Sequence, residues 1–144
     1  MKPRLLVVDD NEMLVKALKV YLGRQGWQVD TACCGAEARE RLQAAIPDLG
    51  LFDLRLPDTN GLDLLASMRW QGLRMPVVVM SAERHEEWLR QAVDCSAAAY
   101  LCKPFALSTL ARVLNCAMAG LQCIPACPSS ERCTAPSGPL LRPR

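Results

Sequence analysis

Apolar and polar positions along this chain switch between two periods. Largely apolar runs recur at residues 4–8, 48–52, 76–80 and 98–101, and a mixed run follows Gly26 at 27–32. Runs this short, rich in Val and Leu and bounded by charged or turn residues, predict strands buried on both faces. Between them the apolar residues return at helical spacing. Residues 11–24 align Met13, Leu14, Ala17, Leu18, Tyr21 and Leu22 on one stripe, with Asn11 placed to cap it. Further helices are predicted over 35–45, closed by Pro47, and over 61–70, 82–93 and 106–118. The last is striped by Leu107, Leu110, Leu114 and Ala117.

Strand and helix signals thus alternate five times with short connections. That pattern predicts an α/β domain: a doubly wound, five-stranded parallel sheet with helices on both faces. The expected strand order is the flavodoxin-like 2-1-3-4-5, in which the first and third strands flank the topological switch point where ligands bind. The domain is expected over residues 1–119. From 120 to 144 no hydrophobic period survives, and residues 121–144 hold five prolines and three cysteines. This stretch reads as a disordered or loosely attached tail.

The polar residues that close the strands carry the chemistry. Asp9 and Asp10 follow the first strand, Asp53 the third, Ser81 the fourth and Lys103 the fifth. Three clustered carboxylates repel one another, and a divalent cation removes that conflict. An all-oxygen site with few protein ligands suits Mg²⁺. Mg²⁺ and a lysine ammonium together neutralise phosphoryl oxygens, a carboxylate can act as nucleophile, and the Ser81 hydroxyl supplies a donor. These parts describe in-line phosphoryl transfer to Asp53.

Composition narrows the remaining choices. Half of the 144 residues are apolar, which excludes disorder throughout, and a net charge of +2 is too small to argue for nucleic acid or an anionic membrane. No apolar stretch approaches a membrane span, and the N-terminus lacks the longer apolar region of a secretory signal, so the chain is expected to be cytoplasmic. Eight cysteines do not form a secreted disulfide pattern: Cys95, Cys102 and Cys116 sit in apolar segments, and Cys33-Cys34 lie at a strand-to-helix junction. Cys116, Cys123, Cys127 and Cys133 lack the paired Cys-x2-Cys spacing of a zinc knuckle, so no zinc site is expected.

Four motifs appear in order: Asp9-Asp10, then Phe52-Asp53-Leu54-Arg55-Leu56-Pro57-Asp58-Thr59-Asn60-Gly61, then Ser81-Ala82, then Tyr100-Leu101-Cys102-Lys103-Pro104-Phe105. In these the chain resembles the receiver domain of a bacterial two-component response regulator, over roughly residues 3–119. The resemblance implies that Asp53 accepts a phosphoryl group from a sensor histidine kinase or histidine phosphotransfer protein. Asp9, Asp10, Asp53 and the backbone carbonyl of Arg55 would hold Mg²⁺. It further implies a cis bond between Lys103 and Pro104, with Lys103 paired to the phosphoryl group. Ser81 would move toward that group and Tyr100 would pack inward, reshaping the surface of the fourth helix, fifth strand and fifth helix where a downstream protein reads the state. Homodimerisation is common among such domains. Beyond self-phosphotransfer and slow autodephosphorylation, no enzyme activity is implied.

Some positions depart from that pattern. Ser96 stands where the family usually has Gly; if the backbone there needs a positive φ, Ser96 costs about 1 kcal/mol or the loop is rearranged. Ala106 replaces the usual polar cap of the last helix, so Ser108 is expected to cap it. Arg55 and Glu83 stand two residues past Asp53 and Ser81. They are expected to overhang the pocket, either pairing to hinder the hydrolytic water or remaining solvated rim charges. His85, the only histidine, reads as a surface residue, and Trp88 as either core or partner anchor. Two other functional readings stand beside the switch: the receiver part of a truncated DNA-binding transcription regulator, and a small Asp-nucleophile phosphohydrolase, for which the short connections leave no cap.

Overall fold

The computed structural model describes residues 2–126. Strand β1 (Arg4–Val8) lies between β2 (Gln28–Ala32) and β3 (Leu49–Asp53), and the sheet continues through β4 (Val77–Ser81), β5 (Ala99–Cys102) and β6 (Cys123–Ala126). All pairings are parallel. The order 2-1-3-4-5 is the expected one, and β6 extends it at the β5 edge. The helices are α1 (Glu12–Arg24), α2 (Gly35–Ala44), α3 (Gly61–Trp70), α4 (Glu86–Asp94) and α5 (Leu107–Met118). Among the described residues no helix is long and apolar enough to cross a membrane.

The period of two along each buried strand divides the core. Leu5 and Val7 of β1 join Leu51, Val78, Leu18 and Leu114 on the face covered by α1 and α5. Leu6 and Val8 point the other way, joining Phe52, Val79, Leu42 and Leu65 beneath α2, α3 and α4. β3 and β4 are buried at every position, the reason their sequences carry no polar alternation. Asn11 caps α1 by accepting from the Leu14 N–H at 3.2 Å, and Asn60 caps α3 by accepting from Asp63 at 2.8 Å.

The expected boundaries fail in three places. α4 starts at Glu86, not at 82, because the backbone of Glu83 has tertiary partners: its N–H donates to Ser81 Oγ and its carbonyl accepts from the Tyr100 hydroxyl, both at 2.8 Å. Ser108 does not cap α5; it lies inside the helix, and Ala106 occupies the cap position without a side-chain bond. The stretch beyond 119, expected to be disordered or loosely attached, forms β6 at Cys123–Ala126. The chain is turned there by a helix stop in which the Gly120 N–H donates to the Ala117 carbonyl at 3.0 Å and the Leu121 N–H to that of Cys116 at 2.9 Å. Gly120 takes φ +85°, a conformation that glycine adopts without a Cβ clash. Cys127 and Cys133, part of the zinc set considered from the sequence, lie outside the described residues.

The bond between Lys103 and Pro104 is cis, as the family resemblance implies, and Ser96 takes φ +61°, the first of the two alternatives for its loop. Arg69 ties the loop around Ser96 to the end of α3: its guanidinium donates to the carbonyls of Leu73, Met75, Cys95 and Ser96 at 2.8–3.1 Å. Burial, followed by the nearby charge of Arg74, pushes its pKa below the ordinary arginine value.

Candidate functional site

The carboxyl ends of β1, β3 and β5 bring one cluster together. Asp9 follows β1 and is 2% exposed, Asp53 ends β3 and is 6% exposed, and Asp10 stands on the open side. Each of the three offers an oxygen within 4.8 Å of the others. Lys103, just past β5, donates to Asp9 Oδ2 at 2.9 Å and to Asp53 Oδ1 at 3.1 Å. Its place is set by the ladder end, where the Lys103 N–H donates to the Ser81 carbonyl at 2.8 Å. Asp9 is oriented from its other oxygen, which accepts from the Asn11 N–H at 2.9 Å.

The electrostatics follow from burial and neighbours. Loss of solvent, then the charge of Asp9, raises the Asp53 pKa above the ordinary carboxylate value, and Lys103 only partly opposes this. For Lys103 burial works against the ammonium, but the hydrogen bond to Asp9 and the charges of Asp53 and Asp9 outweigh it, and its pKa is raised. Three carboxylates face one ammonium, so the cluster keeps an excess of negative charge. An all-oxygen donor set with one open side fits Mg²⁺.

The wall of the site is a chain of bonds centred on Glu83. Ser81, 1% exposed, accepts from the Glu83 N–H, and fully buried Tyr100 donates to the Glu83 carbonyl. The Glu83 carboxylate pairs with Arg55 and accepts from Trp88 Nε1 at 3.0 Å. The Arg55 guanidinium lies 5.8 Å from the centre of the Trp88 ring, within cation–π range. Arg55 and Glu83 therefore pair, with the Arg55 side chain two-thirds exposed. Trp88 is half-buried against the core, and His85 stands exposed at the start of α4, 3.8 Å from Glu83 Oε1.

Sequence reasoning missed two supports. Asp58 caps α2 from another loop, accepting from the Gly35 and Ala36 N–H groups at 2.7 and 2.9 Å. These bonds lower its pKa. The signal was a helix start without a capping side chain, since Cys34 makes no such bond. Gly61 is the second: a Cβ there would collide with the carbonyl oxygen of Asp53, while its N–H donates to the Leu54 carbonyl at 2.8 Å. The loop from 54 to 60 thus closes directly under the acid. Exposed Cys33 sits beside Glu37, whose hydrogen bond and charge push the thiol up to about 11. It is therefore a poor thiolate nucleophile at neutral pH.

Comparison with known proteins agrees with this geometry. The response regulator receiver domain family matches residues 5–115. The transcriptional regulatory protein KdpE of Mycobacterium tuberculosis is 38% identical over 114 residues, covering 78% of this chain and 50% of that protein. The alginate biosynthesis transcriptional regulatory protein AlgB of Pseudomonas putida is 40% identical over 101 residues, covering 70% of this chain and 22% of that protein. The chain therefore spans half or less of these relatives. Among solved structures, the receiver domain of the Francisella response regulator 1452 aligns with a TM-score of 0.78 at 26% identity, over 83% of this chain and 98% of that one.

Proposed function

Since the chain belongs to the response regulator receiver domain family of two-component systems, we propose that it is a phosphorylation-controlled switch whose acceptor is Asp53. The observation that carries the reading is the contact of one ammonium, Lys103, with the two buried acids Asp9 and Asp53. Phosphoryl transfer from a histidine kinase or phosphotransfer protein breaks the P–N bond to the donor imidazole. A P–O bond forms to the Asp53 carboxylate, and the imidazole leaves with its electron pair and takes up a proton. Lys103 loses part of its hold on Asp53 and gains a phosphoryl oxygen as partner. Asp9, Asp10, Asp53 and the carbonyl of Arg55 would hold Mg²⁺, which supplies charge neutralisation to the phosphoryl oxygens when bound.

Ser81 and Tyr100 form the switch in this reading. A Ser81 hydroxyl drawn to the phosphoryl group gives up its bond from Glu83, and the same residue carries the Tyr100 bond. The state is then read on the α4, β5 and α5 surface by a downstream protein, in the cytoplasm. The second reading raised by the sequence, a truncated DNA-binding regulator, has no observation among the described residues in its favour. Intact-mass spectrometry after incubation with acetyl phosphate and Mg²⁺ tests the proposal. One added phosphoryl group is expected in the parent and none in Asp53→Asn; equal labelling of both chains removes it.

A further inference from the structure

The two edges of the sheet are built differently. β2 carries Gln28 and Asp30, and Asp30 is bound to Arg4 of β1 at 2.8 Å, so that edge is charged and polar. β5 reads Ala99-Tyr100-Leu101-Cys102, with no charge or proline to blunt it. Left uncovered, such a strand offers its backbone N–H and C=O groups to another strand of its own kind. Residues 123–126 cover it. Ala99 pairs with Cys123 and Leu101 with Ala126, so one extra residue of β6 falls opposite Tyr100. Ahead of the strand, Gln122 Nε2 donates to the Ala97 carbonyl at 2.9 Å. The occupant is weakly built: four residues, a register break, and Pro125, which has no N–H to give.

We propose that the β5 edge is a strand-accepting surface which Cys123–Ala126 occupies in cis, withholding it from edge-to-edge pairing with a second copy of this chain. Among the described residues only two pairings hold the cover, and its loss exposes an apolar strand that a second β5 can match across a twofold axis. Tyr100 lies between the two paired positions and bonds to Glu83, so the covered edge adjoins the wall of the acidic site. The proposal does not depend on Asp53 being the acceptor.

The test uses the full chain. Successive strand amides point to opposite sides, so one of residues 123 and 124 faces β5, and a Cys123→Pro/Ile124→Pro chain removes that donor. At concentrations where the variant is monomeric, hydrogen-exchange mass spectrometry should show the β5 amides on the β6 side exchanging at least about tenfold faster in this variant, with β4 unchanged. Sedimentation over a concentration series should show the variant self-associating at roughly tenfold lower concentration than the parent. Gln122→Ala, which removes only the tie to Ala97, should move both readings in the same direction by less. Equal β5 exchange in parent and variants overturns the proposal, as does faster exchange with unchanged self-association. If exchange rises throughout the double-proline chain, Gln122→Ala decides alone, and no change in it overturns the proposal.

Discussion

The Tyr100 hydroxyl and the Glu83 carbonyl are joined across 2.8 Å, and the same peptide segment offers its Glu83 N–H to Ser81 at 2.8 Å. One residue therefore holds both the hydroxyl at the end of β4 and the ring buried within β5. Tyr100→Phe keeps the ring and removes the donor, leaving the Glu83 carbonyl to find water. The expected loss is about 0.5–1.5 kcal/mol, read as a lower urea midpoint at unchanged slope. An unchanged midpoint would mean that the bond adds nothing to the fold.

Asp53 gives the fold a pH dependence of unusual sign. Its pKa is raised in the folded chain by burial and by Asp9. As pH rises through the window above the ordinary carboxylate value, the unfolded chain releases this proton first, so this residue's contribution to stability falls. Below that window both states are protonated and the cost vanishes. Asp53→Asn should therefore raise the unfolding midpoint at neutral pH and lose its advantage in acid. Mg²⁺ should narrow the gap by stabilising the parent, by about 1.4 kcal/mol at ten times its dissociation constant. Thermal unfolding across pH, with and without Mg²⁺, measures both effects.

Gly61 tests how closely the loop after β3 must pack. A methyl group there meets the Asp53 backbone itself, not a side chain that can swing away. Gly61→Ala should cost about 1–3 kcal/mol by overpacking and slow phosphoryl uptake from acetyl phosphate, because Asp53 moves with its carbonyl. A variant with normal uptake and stability would show that the loop yields freely.

Much of this architecture was legible because its strands are buried on both faces. Val77, Val78 and Val79 leave no alternation to misread, and the turn residues that follow such strands locate the acids, Ser81 and Lys103. Long-range bonds were not legible. Asp58 reaches α2 across more than twenty residues, and Glu83 trades its helical place for bonds to Ser81 and Tyr100. β6 was missed because a short segment with a proline carries no period of its own. It becomes a strand only because β5 has an open edge.

Ser96 marks a local cost that the surrounding bonds sustain. Its φ of +61° is a left-handed conformation in an L-residue, held by the Arg69 bond to its carbonyl and by its own N–H donating to the Val93 carbonyl at 2.9 Å. Ser96→Gly removes the Cβ conflict but gives the unfolded chain more freedom. The balance should favour glycine by up to about 1 kcal/mol, while Ser96→Ala should leave stability near the parent. Urea denaturation of the three chains decides.

Arg55 and Glu83, two residues past Asp53 and Ser81, pair beside Trp88. Their pairing raises the Arg55 pKa and lowers that of Glu83, so both stay charged across the neutral range. The Arg55 side chain is two-thirds exposed, so the pair contributes little to stability, and any value it has lies in where it stands. We propose that the guanidinium, paired there, hinders the water that would attack an acyl phosphate on Asp53. Arg55→Ala should therefore shorten the phosphorylated lifetime severalfold while leaving the unfolding midpoint and the uptake rate near those of the parent. Glu83→Gln should do the same by releasing Arg55, and Arg55→Lys should restore part of the lifetime. Loss of label followed by intact mass gives the rates. Identical decay in the parent and Arg55→Ala would reduce the pair to two solvated charges that happen to meet.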